Sequence, residues 1–369
     1  MKPNFTGPNY TIGIEEELMI LDPESLGLAN AIDALLEECG DPEHVKPELL
    51  ESVVEIATGV ARDTREAGED LRRLRGSVAA AAERRGLCIG SAGTHPFARW
   101  EDQRVVAQDR YRELVDALRF VARQEIIFGL HVHVGIDDAE KAIHVANGMR
   151  THVPILLALS ANSPFWRARP TGLASARMPL FRGFPRVGVP PAYDGWEDFE
   201  RRIDAMTEAG VIDDYTWMWY DVRPHPNLGT VEIRAMDAQT RVEHTLGLAA
   251  LVQAMVHELA EGYDAGEALV HPTDELVDAS RWLAARHGLD GELVDLPGTG
   301  RVAARDLARR LLERLEPHAQ DLGSADELEA VRDLIERGNG AHRQRVVYDA
   351  NQDFVEVVRE VVQATSADA

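Results

Sequence analysis

A short acidic run near the start of the chain constrains its fold more than any other feature. The run GIEEEL, residues 13–18, continues through apolar residues and stops at Asp22-Pro23, a pattern that predicts a strand. Residues i and i+2 of a strand share a face, so Glu15 and Glu17 point the same way, about 7 Å apart. At an effective dielectric of about 20 their repulsion costs about 2 kcal/mol. A divalent cation would reverse that sign, and a solvated strand face is the alternative for this stretch alone.

Two further β-rich segments carry polar residues on one face. Residues 126–137, IIFGLHVHVGID, predict a strand on which His131 and His133 share a face while the aliphatic residues point to the core. Residues 217–237 predict a hairpin whose second strand places Glu232 and Arg234 together. A hydrogen-bonded structural pair and a surface ion pair are the ordinary interpretations. Alternatively, the imidazoles and the acid bind a cation and the arginine binds an anion.

Apolar residues at helical spacing predict amphipathic helices over much of the chain. The acid series Glu48, Glu51 and Glu55 fits one helix face, but the β-branched residues around it favour a strand from about Leu50. Asp138 would cap a long helix over residues 139–159. The other predicted helices cover residues 30–40, 63–85, 111–122, 196–209, 243–264, 272–287, 301–315, 325–337 and 351–364.

Three irregular segments carry small or basic residues. Residues 87–96, LCIGSAGTHP, predict a buried strand that runs into a loop, which is either approached by a ligand or a simple tight turn. Residues 171–193, rich in Gly, Pro and Arg, predict a long loop whose arginines reach an anion or are solvated. Residues 338–345 predict a glycine loop leading into Arg343 and Arg345, whose guanidinium groups suit phosphate or carboxylate recognition.

No repeat or linker divides the chain, so we predict one folded unit over residues 1–369, mostly helical from about residue 243. Separated strands and hairpins without regular βαβ alternation predict an α+β fold with a largely antiparallel sheet. A net charge of -24 disfavours general nucleic-acid or anionic-membrane binding. Two cysteines are too few for a disulfide framework. The absence of a signal-like start or a long apolar run makes the cytoplasm the expected location.

Six motifs, taken in order, resemble the carboxylate–amine ligase branch of the glutamate–cysteine ligase family, type 2. They are GIEEEL, PELLESVVEIATG, GLHVHVGID, ALSANSPFW, VRPHPNLGTVEIRAMD and NGAHRQR. The resemblance runs from the first strand to Arg345. It implies a fold similar to glutamine synthetase and, more broadly, to guanidino kinases, in which a curved antiparallel sheet flanked by helices holds ATP, divalent metal and the acid substrate.

The resemblance also implies two sets of metal ligands. The first, near the transferred phosphate, consists of Glu15, His131 and Glu232. The second consists of Glu17, Glu48 and Glu55, with Glu51 as an addition from the same motif. Oxygen ligands dominate both sets, which suits Mg²⁺ better than zinc, with Mn²⁺ as the alternative.

Arginines supply the implied anion-binding groups. Glu232 and Arg234 would be catalytic, and the candidates for binding ATP or the substrate carboxylate are Arg223, Arg234, Arg343 and Arg345. The implied reaction passes the γ-phosphate of ATP to a carboxylate, and an amine then captures the acyl phosphate. The chain has no Walker loop and no Rossmann fingerprint, so ATP binding is implied by the resemblance alone.

The substrates are small molecules, and their identity stays open. Glutamate and cysteine, giving γ-glutamylcysteine, are the family's namesake pair, and another acid, amine or peptide is the alternative. Two rival functions are phosphotransfer without ligation and non-catalytic binding of a nucleotide or amino acid. The second rival would have lost acids that are all present here. No nucleic-acid or membrane partner is expected, and a homodimer is left open.

Overall fold

A seven-stranded sheet organises the molecule, a computed structural model that describes residues 3–367. Its strand order is β2-β3-β1-β5-β9-β8, with β4 also paired to β1, and every pairing is antiparallel. These strands are β1 Ile12–Leu21, β2 Val45–Pro47, β3 Val53–Ala57, β4 Cys88–Gly90, β5 Gly129–Gly135, β8 Val222–His225 and β9 Thr230–Asp237. The short pairs are β6 Val187–Gly188 with β7 Trp219–Tyr220, and β10 Glu292–Val294 with β11 Arg301–Ala303.

Fourteen α-helices are present within residues 3–367, and they dominate the chain after β9. The side chains of Asp63, Asp138 and Thr273 cap three of them by accepting backbone N–H bonds. The helices are α1 Ile32–Cys39, α2 Thr64–Arg84, α3 Asp109–Leu118, α4 Phe120–Arg123, α5 Ala139–Met149, α6 Val153–Ser160, α7 Arg177–Phe181, α8 Trp196–Glu208, α9 Val242–Asp264, α10 Asp274–His287, α11 Ala304–Asp321, α12 Leu328–Arg337, α13 Gly340–Asn351 and α14 Phe354–Ser366.

Helices α2 and α9 cover one face of the sheet. Alternation along β1 turns the even-numbered Glu16 to this face, where its carboxylate meets Arg75 of α2 and Thr245 of α9. The core runs through this layer because α9 is apolar on nearly every side. The opposite face of β1 carries Glu15 and Glu17, which are only partly buried.

The antiparallel sheet, the hairpin and most predicted helices are confirmed, and four local predictions are wrong. The long loop expected over residues 171–193 contains the short helix α7 and the strand β6. The helix expected over residues 139–159 is two helices, because Pro154 has no N–H to bond the carbonyl of Arg150. The helix expected over 111–122 breaks at Arg119, where the backbone φ is 53°. The glycine loop expected at 338–345 is the start of α13, capped by the Asn339 side chain. Within residues 3–367 no helix is long and apolar enough to cross a bilayer.

Candidate active site

The face of the sheet opposite α2 and α9 gathers the first predicted ligand set at its centre. Glu15 on β1 lies opposite His131 on β5, and His133 lies opposite Glu232 on β9. The Glu15 carboxylate is 3.2 Å from Nδ1 of His131 and 3.5 Å from Nε2 of His133. Nε2 of His133 is in turn 3.7 Å from Glu232 Oε1. Three strands therefore bring two carboxylates and two imidazoles together.

One three-residue group here has the spacing of a metal site. Ligand atoms of Glu15, His133 and Glu232 all lie within 4.8 Å of one another. Ligands about 2.1 Å from a Mg²⁺ ion lie up to about 4.2 Å apart, so small side-chain movements would close this set around an ion. The predicted set contained His131, and the structure instead brings His133 into the group. His131 sits beside it, bonded to Glu15 through Nδ1.

Burial and neighbouring charges shift the pKa values of the side chains at this centre in different directions. Burial opposes protonation of His133, but Glu232 and Glu15 raise its pKa overall. Burial opposes ionisation of Glu15, but the hydrogen bond to His131 and the nearby imidazole of His133 hold its pKa well below the usual range. Burial also opposes ionisation of Glu232, and Arg223 and Arg234 hold that pKa well down. Burial and nearby Arg234 lower the pKa of His131. The Nε2 atoms of His131 and His133 are buried without a hydrogen-bond partner, as expected of groups that face a ligand.

The second predicted set forms a looser group of acids. Glu17 lies opposite Glu55 across β1 and β3, and Glu48 lines the same cavity as Glu17. Burial and then Glu15 raise the pKa of Glu55 well above its usual value, while burial and then Glu17 raise that of Glu48 to about 7. Over residues 3–367 this set does not meet the 4.8 Å spacing of the first. Glu51 lies apart, paired with Arg104 at 2.8 Å.

Arg223 and Arg234 flank Glu232 and have different roles. Arg223 donates to Glu232 Oε2 at 2.7 Å and to the carbonyls of Thr216 and Met218, so its donors are used to hold Glu232 in place. Arg234 donates to Glu232 Oε1 at 2.5 Å, but its buried Nε has no partner. Of these two guanidinium groups, Arg234 is the one with a buried Nε that has no partner and can donate to an anion.

The other two predicted arginines lie away from the sheet face. Arg343 donates to Asp333 at 2.6 Å and lines a cavity of about 860 Å³ between α2, α9, α12 and α13. Arg345 donates to the carbonyl of Leu173 at 2.6 Å. The wall of this 860 Å³ cavity carries as many acidic residues as arginines, and it includes none of the predicted metal ligands. The structure thus places Arg343 and Arg345 apart from the predicted metal ligands of the sheet face.

Two residues absent from the predicted set complete the site. Arg177 at the start of α7 reaches over Gly129, near the carbonyl of Arg234, and its buried Nε is unpartnered. Burial raises the pKa of Glu125 to about 8 against the effect of Arg177. With four predicted residues they line a cavity of about 90 Å³, whose polar wall is Glu17, Glu48, Glu125, His131, Arg177 and Arg234. The sequence indicates Arg177 only as one of several arginines in the loop predicted over residues 171–193. No local sequence pattern indicates a functional role for Glu125.

Comparison with known proteins identifies the family. A model of glutamate–cysteine ligase family 2 matches residues 11–364, which include every strand of the sheet. The chain belongs to glutamate–cysteine ligase family 2. A Rubrobacter xylanophilus protein provisionally named glutamate–cysteine ligase 2-1 is 44% identical to this family member over 358 residues, 96% of this chain and 95% of the relative. A similarly named Sorangium cellulosum protein is 43% identical over 97% of this chain and 96% of the relative.

Solved structures share the fold of this family 2 member. Glutamate–cysteine ligase from Francisella tularensis, crystallised with AMP, matches 98% of this chain and 90% of its own with a TM-score of 0.73 at 15% identity. A bifunctional glutathione synthetase from Pasteurella multocida matches 98% of this chain and 53% of its own with a TM-score of 0.70 at 13% identity. The predicted family and α+β fold are confirmed. As a family member, the chain is an ATP-dependent carboxylate–amine ligase acting on small molecules.

Proposed function

We propose that this ligase forms an amide bond through an acyl phosphate, with glutamate and cysteine as the first substrate pair to test. The convergence of Glu15, His133 and Glu232 beside unused guanidinium nitrogens of Arg234 and Arg177 carries the proposal. Transfer of a phosphoryl group between two anions needs positive charge held on both sides of the moving group. Another acid, amine or peptide remains the alternative substrate.

The proposed reaction has two steps. A substrate carboxylate oxygen takes the γ-phosphoryl group of ATP as the bond to the bridging oxygen breaks, and ADP leaves. The amine nitrogen then bonds to the acyl carbon, inorganic phosphate departs, and the nitrogen loses a proton. Each step moves negative charge between oxygens, so positioning and neutralisation supply most of the required stabilisation.

The chain's arginines would do this neutralising. Arg234 and Arg177 each have a buried Nε without a partner near the small cavity, and both would donate to phosphoryl or carboxylate oxygens. Arg223 acts as a positioning residue, because its bond to Glu232 fixes that carboxylate. The cavity of about 90 Å³ is well below the roughly 300–1,000 Å³ of a typical ligand pocket, so larger parts of the substrates lie outside it.

The donor set fits a hard divalent cation. Glu15, His133 and Glu232 would hold Mg²⁺, with Mn²⁺ as the alternative, and Glu17, Glu48 and Glu55 would hold a second ion. Unpartnered imidazole nitrogens and carboxyl groups with raised pKa values support this assignment. Bound there, the ion supplies charge neutralisation on the phosphoryl oxygens.

Phosphate release from Mg²⁺-ATP tests the proposal, measured with amino acids supplied singly and in pairs and with mass spectrometry of the products. We expect release only with an acid and an amine together, and a product whose mass is their sum less one water. Formation of ADP and a phosphorylated acid without an amine, with no free phosphate, would indicate phosphotransfer instead. ATP binding without turnover across the matrix would indicate a binding homologue or a substrate outside the matrix.

Substitution of Glu232 tests the site directly. Glu232→Gln keeps the side-chain shape but removes a charge that two arginines surround, so we expect unfolding free energy to fall by about 3–5 kcal/mol. Turnover of the protein that remains folded should fall at least about 100-fold. Circular dichroism and turnover are measured together. Glu336→Gln changes an exposed acid of α12 and is the matched control. Near-normal turnover in Glu232→Gln would contradict the placement of the site.

A further inference from the structure

A second cluster of ligand-type side chains lies in the helical layer, between α9 and α11. His257 and Glu261 are one turn apart on α9 and therefore share a face, and His318 of α11 points at both. The Nδ1 atoms of His257 and His318 are 2.9 Å apart, and His318 Nδ1 is 3.3 Å from Glu261 Oε2. Ligand atoms of all three residues lie within 4.8 Å of one another. We propose that these residues form a Zn²⁺ site that clamps α9 to α11.

The distances suit tetrahedral zinc. Nitrogen ligands about 2.05 Å from Zn²⁺ in a tetrahedron are about 3.3 Å apart, so a shift of a few tenths of an ångström opens the two imidazoles around an ion. Two imidazoles and one carboxylate leave a fourth position for water. This donor set favours zinc over Mg²⁺ or Ca²⁺, which prefer all-oxygen ligands. It also separates this site from the carboxylate-rich sheet face.

The surroundings favour a cation between the two imidazoles. His318 lies in the last turn of α11, and Glu261 lies in the last turn of α9, so the negative ends of two helix dipoles meet here. Burial lowers the pKa of His257, which keeps its imidazole in the neutral form that binds metals. The pair of facing Nδ1 atoms can share only one proton, and a metal ion would bind both.

His257 is also held in orientation from outside the cluster. The ring of Tyr10 packs edge-on against His257, with centroids 4.6 Å apart. Tyr10 is itself fixed, because its N–H bonds to the Gly135 carbonyl at the end of β5 and its own carbonyl accepts from Gln253 of α9. His257 is buried, while His318 is partly exposed and Glu261 is exposed. An ion can therefore enter from the solvent side.

Zinc titration of the metal-free protein in excess Mg²⁺ tests this site. Bound zinc is counted after gel filtration, and Co²⁺ in place of zinc reports coordination geometry through its visible absorption. We expect one zinc per chain at this site, strong tetrahedral Co²⁺ bands, and a higher melting temperature with zinc. His318→Ala should weaken zinc binding by more than about 100-fold, beyond the effect of losing an outer-shell partner. His287→Ala, which removes an exposed imidazole elsewhere, should change none of these readouts.

A second variant keeps the test independent of folding. Glu261→Gln alters an exposed side chain, so the fold should persist while zinc affinity falls. Circular dichroism without metal checks both variants. Equal zinc binding by wild type, His318→Ala and Glu261→Gln would overturn the proposal, as would octahedral-type Co²⁺ bands. Zinc binding that survives in His318→Ala but disappears in Glu15→Gln would place the ion on the sheet face and would also overturn it.

Discussion

The three adjacent glutamates of β1 illustrate how one residue step changes a side chain's role. Glu16 is fully buried, and its two oxygens receive Nε and Nη2 of Arg75, each at 2.8 Å. Thr245 adds a third bond at 2.5 Å. Glu15 and Glu17, on the other face, remain partly buried beside imidazoles and other acids. Glu16 therefore belongs to a structural ion pair, whereas Glu15 and Glu17 belong to the proposed site.

Removal of the Glu16 charge should destabilise the protein strongly. Glu16→Gln leaves the buried Arg75 guanidinium without its counter-charge, and we expect unfolding free energy to fall by about 3–5 kcal/mol. Urea unfolding followed by circular dichroism measures it. Glu15→Gln is the matched control, with a smaller loss of about 1 kcal/mol but no ligase turnover. A larger stability loss in Glu15→Gln than in Glu16→Gln would contradict these assignments.

His95, at the polar end of the segment 87–96, makes a structural turn. Its Nε2 lies 2.9 Å from the carbonyl of Leu26, and its Nδ1 accepts the backbone N–H groups of Phe97 and Ala98. The imidazole is therefore the Nε2–H tautomer and has no room for a second proton. Burial lowers the pKa of His95 to about 4. Of the two interpretations open for this segment, these contacts favour the tight turn.

Stability should therefore depend on pH through His95. The unfolded chain binds a proton there near pH 6.5 and the folded chain only near pH 4, so stability is full above about 6.5 and is lost as pH falls. Between about pH 7.5 and about pH 5 this one group removes about 2 kcal/mol. His95→Gln should be less stable at neutral pH but lose about 2 kcal/mol less over that range, measured by urea unfolding. His287→Gln should keep the wild-type pH dependence, and an unchanged dependence in His95→Gln would refute the role.

The alternation of side chains along β1 predicts which residues face the site, but it does not predict which residues of the neighbouring strands they meet. The i and i+2 spacing of Glu15 and Glu17 follows from the strand period alone. Whether His131 or His133 meets Glu232 depends on the register of β5 against β9, and that register shifts between Leu130 and Val132. Arg177 and Glu125 reach the site from separate segments. Contacts between segments far apart in the chain produce no periodic pattern in the sequence.

At the scale of elements, two of the recognised motifs meet each other. Asn162 of ALSANSPFW accepts two bonds from Gln344 of NGAHRQR and donates to the carbonyl of Ala238 just after β9. Gly340, the first residue of α13, lies so close that a Cβ atom there would overlap the Asn162 amide. Gly340 thus permits close contact between α13 and the loop that carries Asn162. The segment predicted as a flexible glycine loop is instead the packed start of a helix. The prediction failed because Gly-Asn-Gly resembles a turn, whereas Asn339 caps a helix.

Gly340→Ala should therefore be costly although alanine favours helices. Its methyl group would displace the buried Asn162, and we expect a loss of about 2–3 kcal/mol in unfolding free energy. Gly300→Ala is the control, because no atom lies within 4 Å of its Cβ position and its backbone conformation is ordinary. Thermal and urea unfolding compare the two variants. A Gly340→Ala protein as stable as Gly300→Ala would show that α13 does not pack as tightly as described.

At the scale of the whole molecule, the helical part after residue 242 packs against one face of the sheet through α9. Arg75 of α2 bonds the carbonyls of Gln239 and Thr240, and α9 contributes Thr245 to the same buried pair. Near the C-terminal end, Thr365 of α14 accepts the N–H of Ser91 beyond β4. The sheet and the later helices therefore share one core. Loss of the later helices would expose the buried Glu16–Arg75 pair of the sheet layer.

This arrangement predicts a single cooperative unfolding transition. Tryptophan fluorescence and far-ultraviolet circular dichroism should give coincident urea curves, because the sheet and the helices share the core around Glu16 and Arg75. Mg²⁺ with ATP should shift both curves together, since ligands that bind only the folded chain stabilise every part that unfolds with their site. Glu16→Gln should also move both curves equally. Separate transitions, with the helices after residue 242 melting first while the sheet stays folded, would divide the chain into two units and contradict the single-domain prediction.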